Sequence, residues 1–173
     1  MLRGCFVGRF QPFHLGHRRV VESIADDVDE LVVAIGSAGA SHSVHDPFTG
    51  GERIEMVRAA LADLDLPVYA VPVEDVDRHA VWVSHVESMT PAFDAVYANN
   101  PLVIRLFEEA GHEVRDVEMH DRDRLEGTRI REAMIEGGDW RPRVSDPVVS
   151  VIEDANGVDR LRQVSGTDAN DDG

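Results

Sequence analysis

Lysine is absent from this chain of 173 residues: all 17 basic residues are arginine, set against 33 acidic ones for a formal charge of −16. Without lysine there can be no phosphate-gripping Walker A lysine and no amine for a Schiff base. Cysteine occurs once, at position 5, which removes disulfides and thiolate metal clusters and leaves a buried, inert thiol as the expectation. Long apolar runs are missing too, so no membrane span is expected. The first residues enter a strand-like run without a basic segment and cleavage site, so no secretion signal is expected and a cytoplasmic location follows. Neither a basic stripe nor a basic-aromatic cluster is present, which argues against extended nucleic-acid binding. An acidic, lysine-free composition resembles that of proteins adapted to very high salt, where self-repulsion is screened.

What the chain does have is 43% hydrophobic content with clear periodicity, enough for one domain with a real core. Strand-like runs at 2–7, 31–35, 68–73, 95–97 and 112–117 alternate with helical patterns near 52–64, 79–89 and 101–110. Such alternation predicts an α/β fold with a doubly wound, Rossmann-like parallel sheet. Thr49 and Glu52 have capping-box spacing at the start of the second helical stretch. Short closing helices are expected at 146–155 and 158–164, completing a single domain over 1–164. Residues 165–173 read as a polar, acidic, frayed tail. No internal repeat or interdomain linker is visible.

The chemistry concentrates in Gly8-Arg9-Phe10-Gln11-Pro12-Phe13-His14-Leu15-Gly16-His17, where the first strand should turn into a helix. Val20, Val21, Ile24, Ala25 and Val28 recur at helical spacing, so that helix should begin near Leu15 or Gly16. Gly8 permits a tight turn, Pro12 stiffens the loop, and Gly16 leaves room beside the first helical turn. Free N–H groups and the positive end of the dipole make such a terminus an anion site. His14 and His17, three apart, can both face that anion and donate hydrogen bonds to it. One isolated histidine would read as a capping or packing residue; two bracketing a glycine after a Gly-Arg-Phe loop are harder to explain that way.

A second segment, Glu126-Gly127-Thr128-Arg129-Ile130-Arg131, opens another amphipathic helix whose apolar side is Ile130, Met134 and Ile135. Gly127 and Thr128 sit where a helix N-terminus offers backbone and hydroxyl donors to a phosphate, with Arg131 one turn in. Taken alone, Thr128 could be a plain cap and Arg131 a surface charge.

The first segment resembles the signature of the HxGH nucleotidyltransferases, related in fold to class I aminoacyl-tRNA synthetases, although the lysine loop of those synthetases is excluded here. The second resembles the SGTxIR motif of adenylyltransferases, with Glu126 in the serine position. Ser41-His42-Ser43, Asp46-Pro47-Phe48-Thr49, Trp82-Val83-Ser84-His85 and Asn100-Pro101-Leu102-Val103 extend a resemblance to the archaeal nicotinamide-nucleotide adenylyltransferases across residues 2–164. That resemblance implies transfer of AMP from ATP to nicotinamide mononucleotide by direct in-line attack, giving NAD and pyrophosphate. It implies catalytic roles for His14, His17 and Arg131. Gly8, Arg9, Phe10, His45, Asp75, Trp82, Asn100, Gly127 and Thr128 would bind ATP or the mononucleotide, with Trp82 stacking on the nicotinamide ring and Asp75 on base or ribose. Packing into the core from an amphipathic helix is the competing role for Trp82; Trp140 reads as structural. Mg²⁺ would be held mainly by ATP phosphates, with no protein ligand named, and a multimer such as a hexamer is implied. His45 stands where the related enzymes typically show arginine, and His79 where they show asparagine. Two other readings fit the residues: nucleotidyl transfer to another phosphorylated acceptor, such as phosphopantetheine or glycerol phosphate, and a nucleotide-binding sensor without turnover.

Overall fold

A computed structural model describes residues 1–117 and 126–171. Five strands, β1 (Arg3–Gly8), β2 (Glu30–Ile35), β3 (Val68–Pro72), β4 (Ala95–Ala98) and β5 (Glu113–Asp116), form one sheet in the order β3-β2-β1-β4-β5. Every pairing is parallel, with Cys5 beside Val32 on one side and Val96 on the other. The expected doubly wound sheet is therefore present, and its strand order reverses between β1 and β4.

Alternation along the strands decides which layer each residue joins. Phe6, Leu31, Val33, Ile35, Ala95 and Tyr97 face one apolar cluster, while Cys5, Val7, Val32, Ala34 and Val96 face the other. The first cluster is covered by α1 (Leu15–Ala25), α2 (Gly50–Leu61), α5 (Gly127–Glu136), α6 (Asp146–Asp154) and α7 (Gly157–Asp171). The second lies under α3 (Trp82–Met89) and α4 (Pro101–Glu109) through Val83, Val86 and Phe107. Cys5 is fully buried, and burial pushes its thiol up to about 12, which makes it inert as expected. Trp140 is buried with the Arg141 guanidinium over its ring, the structural role expected of it.

Two boundaries differ from expectation. The 79–89 segment is split into a 3₁₀ turn, His79–Val81, followed by α3. α7 does not stop at residue 164 but runs to Asp171. A helix already nucleated gains one backbone bond for each residue it adds, so a polar composition does not by itself end it.

The Thr49–Glu52 capping box is formed in both directions, at 2.9 and 3.1 Å. Glu52 is also gripped by Arg160 of α7 through paired bonds of 2.7 and 2.8 Å, tying the last helix to the start of α2. Among the described residues no helix is long and apolar enough to cross a membrane. The excess of 33 acidic over 17 basic residues loads the surface with like charge. The unfolding midpoint is accordingly expected to rise from dilute buffer to molar KCl as that repulsion is screened. A midpoint that stays flat across the series would count against salt adaptation.

Candidate active site

In an open parallel sheet, ligands sit beyond the carboxyl ends of the strands where strand order reverses. A crevice of about 590 Å³ lies there, lined by Gly8, Arg9, Phe10, His14 and His17 after β1, by Gly36, Ser37 and His45 after β2, and by Asp75 and Val76 after β3. Asn99 and Asn100 after β4, His79 and Trp82, and Glu126, Gly127, Thr128 and Arg131 of the α5 start complete it. All twelve residues expected to act on nucleotide are thus gathered at one place. Residues 118–125, which precede Glu126 in the chain, lie outside the described residues.

The two histidines do more than face the crevice. His14 is the N-cap of α1, and its Nδ1 accepts from the backbone N–H groups of Gly16 (3.1 Å) and His17 (3.4 Å). His17 Nδ1 accepts in turn from the His14 N–H at 3.2 Å, and the rings stack with centroids 3.6 Å apart. These bonds correct the expectation of free N–H groups at this helix start for His14, Gly16 and His17, whose N–H groups the imidazoles occupy. The same bonds place each neutral ring's proton on Nε2, which has no protein partner among the described residues. Burial pushes His14 down to about 3, and burial together with its neighbour His14 pushes His17 well below the ordinary imidazole value. The pair therefore presents two neutral Nε2–H donors.

The protonation state of His14 has a consequence for stability. An unfolded imidazole takes up a proton near 6.5, whereas His14 in the fold resists it down to about 3, so the native state binds fewer protons across that window. Stability is then lost as pH falls below 6.5. Urea midpoints measured from pH ~7 down to ~5, above the ordinary carboxylate range, should fall more steeply in wild type than in His14→Gln.

The start of α5 behaves differently. Glu126 holds its N-cap position with no side-chain cap bond, so the serine-to-glutamate change leaves the first-turn N–H groups without that partner. Arg131 is buried, donating to the Gln11 carbonyl at 2.8 Å and to Thr128 Oγ1 at 3.3 Å. Burial and the nearby Arg9 both lower its pKa. A Cβ on Gly127 would meet Arg131 Nη1 at 3.1 Å, so glycine there leaves the guanidinium its place. Gly8 has a related reason that differs from the one expected: the Phe10 ring folds over it, and a Cβ would stand 2.7 Å from that ring.

Phe10 has a packing role beside its place in the crevice. It borders the crevice, but its ring is 1% exposed and packs on Phe6, Phe13 and His17, so it supports the histidine turn from below. Asn100 also lines the crevice, with its carboxamide oxygen engaged in capping α4 at the Leu102 and Val103 N–H groups. Trp82 meets Phe107 edge-on at 5.6 Å, the packing weighed for it, and also lines the crevice. Asp75 accepts from Ser37 Oγ at 3.1 Å, and the exposed His45 and His79 stand at the rim.

Three polar residues of the site escaped sequence reasoning. Gln11 exchanges paired bonds with the main chain of Phe48, at 3.1 and 3.0 Å, joining the first loop to the loop before α2. Asp46 is buried and forms an ion pair with Arg9. Arg53 is 0% exposed and donates only to main-chain oxygens. Among the described residues no group of three or more histidine, cysteine or acidic side chains is placed to hold a metal ion.

Neutral donors and buried guanidiniums at a switch-point crevice suit a reaction whose charge develops on phosphate oxygens. Sheet order and histidine turn together define a nucleotidyltransferase of the HxGH type. A model of the cytidylyltransferase-like family matches residues 5–133. The nicotinamide-nucleotide adenylyltransferase of Haloarcula marismortui is 60% identical, over 97% of this chain and 89% of that relative. Its counterpart in Methanothrix thermoacetophila is 55% identical, over 97% and 99%. The chain belongs to the cytidylyltransferase-like family and, within it, to the nicotinamide-nucleotide adenylyltransferases. A bifunctional NMN adenylyltransferase/ADP ribose pyrophosphatase from Francisella tularensis, solved with AMP and a manganese ion, matches with a TM-score of 0.78 at 19% identity over 96% of this chain. That likeness is one of fold, and this chain spans about half of that protein's length, 53%.

Proposed function

We propose that the chain transfers the adenylyl group of ATP to nicotinamide mononucleotide, producing NAD and pyrophosphate. The observation that carries this reading is the convergence of the Nε2–H donors of His14 and His17 with Arg131 in one crevice of a chain 60% identical to a nicotinamide-nucleotide adenylyltransferase. A 5′-phosphate oxygen of the mononucleotide forms a bond to the α-phosphorus, and the bridging bond to the β-phosphate breaks, its electrons leaving with pyrophosphate. The attacking phosphate is already ionised, so no general base is needed; positioning and electrostatics do the rest. His14, His17 and Arg131 meet the triphosphate charge, with Arg9 beside them. Trp82 stacks on the nicotinamide ring, and Asp75 contacts base or ribose.

ATP enters as its magnesium complex, with the ion carried by phosphate oxygens and water. In this reading the enzyme is cytoplasmic and homo-oligomeric, the hexamer being the form that the family resemblance implies. Sedimentation in molar KCl tests the assembly. Pyrophosphate release from ATP with nicotinamide mononucleotide, compared with its deamido analogue and with other phosphorylated acceptors, tests the reaction. Release with another acceptor alone would reassign the substrate. ATP binding with no release from any of them would make the chain a sensor.

A further inference from the structure

We propose that Arg53 is a positioning residue for this transfer: its buried guanidinium fixes two main-chain walls of the crevice before the substrates arrive. The inference rests on the reaction proposed above for that crevice. Nη1 donates to the carbonyls of Arg9 (2.9 Å) and Gly36 (2.8 Å), the first residues beyond β1 and β2. Nη2 donates to Ser37 at 2.9 Å and, at 3.4 Å, to Ala38 and Ala40, while Nε donates to Thr49 at 3.2 Å. A permanent charge buried against carbonyls alone is costly unless its fork satisfies many acceptors at once. Asp46, Asp75 and Glu52 favour the charge from further away and Arg9 opposes it.

The held peptide units border strained backbone. Phe10 follows the Arg9 carbonyl with φ 56°, and Ser37 lies between the Gly36 and Ser37 carbonyls with φ 48°. Neither residue is glycine, and L-residues seldom stay in that region unless their surroundings hold them there. The Gly36 N–H bonds the Gly8 carbonyl at 2.8 Å, closing one wall on the other, and Ser37 Oγ reaches Asp75 on a third. Ala38 is pressed so closely on α2 that a Cβ at Gly50 would stand 2.9 Å from its carbonyl oxygen. Arg53 is the shared partner of both turns. An ammonium at this place offers its donors from one point and cannot span them.

The test compares wild type, Arg53→Lys and Arg53→Ala in molar KCl, below each protein's unfolding midpoint. Pyrophosphate release and calorimetric ATP affinity are the readouts. Arg53→Lys is expected to fold and to lose about 10²-fold in kcat/KM, split between weaker ATP binding and slower turnover, because a small misplacement of the walls is felt at the reacting atoms. Methylguanidinium should restore turnover to Arg53→Ala and leave Arg53→Lys unchanged. A folded Arg53→Lys with wild-type ATP affinity and kcat overturns the proposal. So does failure of both variants to fold in molar KCl, which assigns Arg53 to stability alone. If wild type binds ATP and releases no pyrophosphate, the reaction reading fails, and the ATP affinity of Arg53→Lys still decides whether Arg53 sets the walls.

Discussion

In His17→Ala, kcat is expected to fall by ~10²–10³ while KM for ATP changes much less, because a donor aimed at phosphate oxygens gains most as charge develops there. The tautomer makes the expectation specific. His17 Nδ1 is occupied by the His14 N–H, so the group lost to the reaction is the Nε2–H. The lost backbone bond should itself cost only about 1 kcal/mol of stability. A melting curve separates the two losses. Wild-type kcat with only KM raised would sink the transition-state role.

Arg131 gives the second large effect. Its guanidinium is seated on the Gln11 carbonyl and Thr128 Oγ1 before any phosphate arrives. Arg131→Lys should lose ~10²–10³ in kcat/KM, since a point charge reproduces neither the fork nor the anchoring bonds. Arg131→Ala should lose ATP affinity as well. Near-wild-type ATP affinity in Arg131→Ala, measured by calorimetry, would remove Arg131 from the triphosphate.

The sequence made visible what is written locally. The inner strands are short, continuous apolar runs, and the histidine turn carries its two imidazoles, its glycine and its arginine within ten residues. The tautomers of His14 and His17 were less legible, because capping geometry depends on where the chain turns, although a polar residue just before a helical run was a usable signal. Gln11, Asp46 and Arg53 were hidden by distance along the chain. Gln11 meets Phe48 37 residues on, and Arg53 reaches Arg9 44 residues back. A Gly-Glu-Arg opening to an amphipathic helix reads as a solvated face, and nothing in its spacing announces that the arginine turns inward. The packing role of Phe10 was hidden for the opposite reason: it sits inside the most informative motif, where its ring reads as part of the site, and the ring also serves the packing beneath.

The order of the strands also sets when, during synthesis, this protein can first hold a nucleotide. β1 lies at the centre, with β2 on one side and β4 on the other. A nascent chain of 94 residues carries His14, His17, Arg53, Trp82 and three of the five strands, yet the wall of the crevice that follows β4 is absent until Ala95–Ala98 docks against Gly4, Cys5 and Phe6. Arg131 comes later still, across a separation of 120 residues from Gln11. Closing contacts of that span is slow compared with forming neighbouring turns. Nucleotide capture is therefore a late event in folding, and a bound substrate reports that the whole sheet has formed.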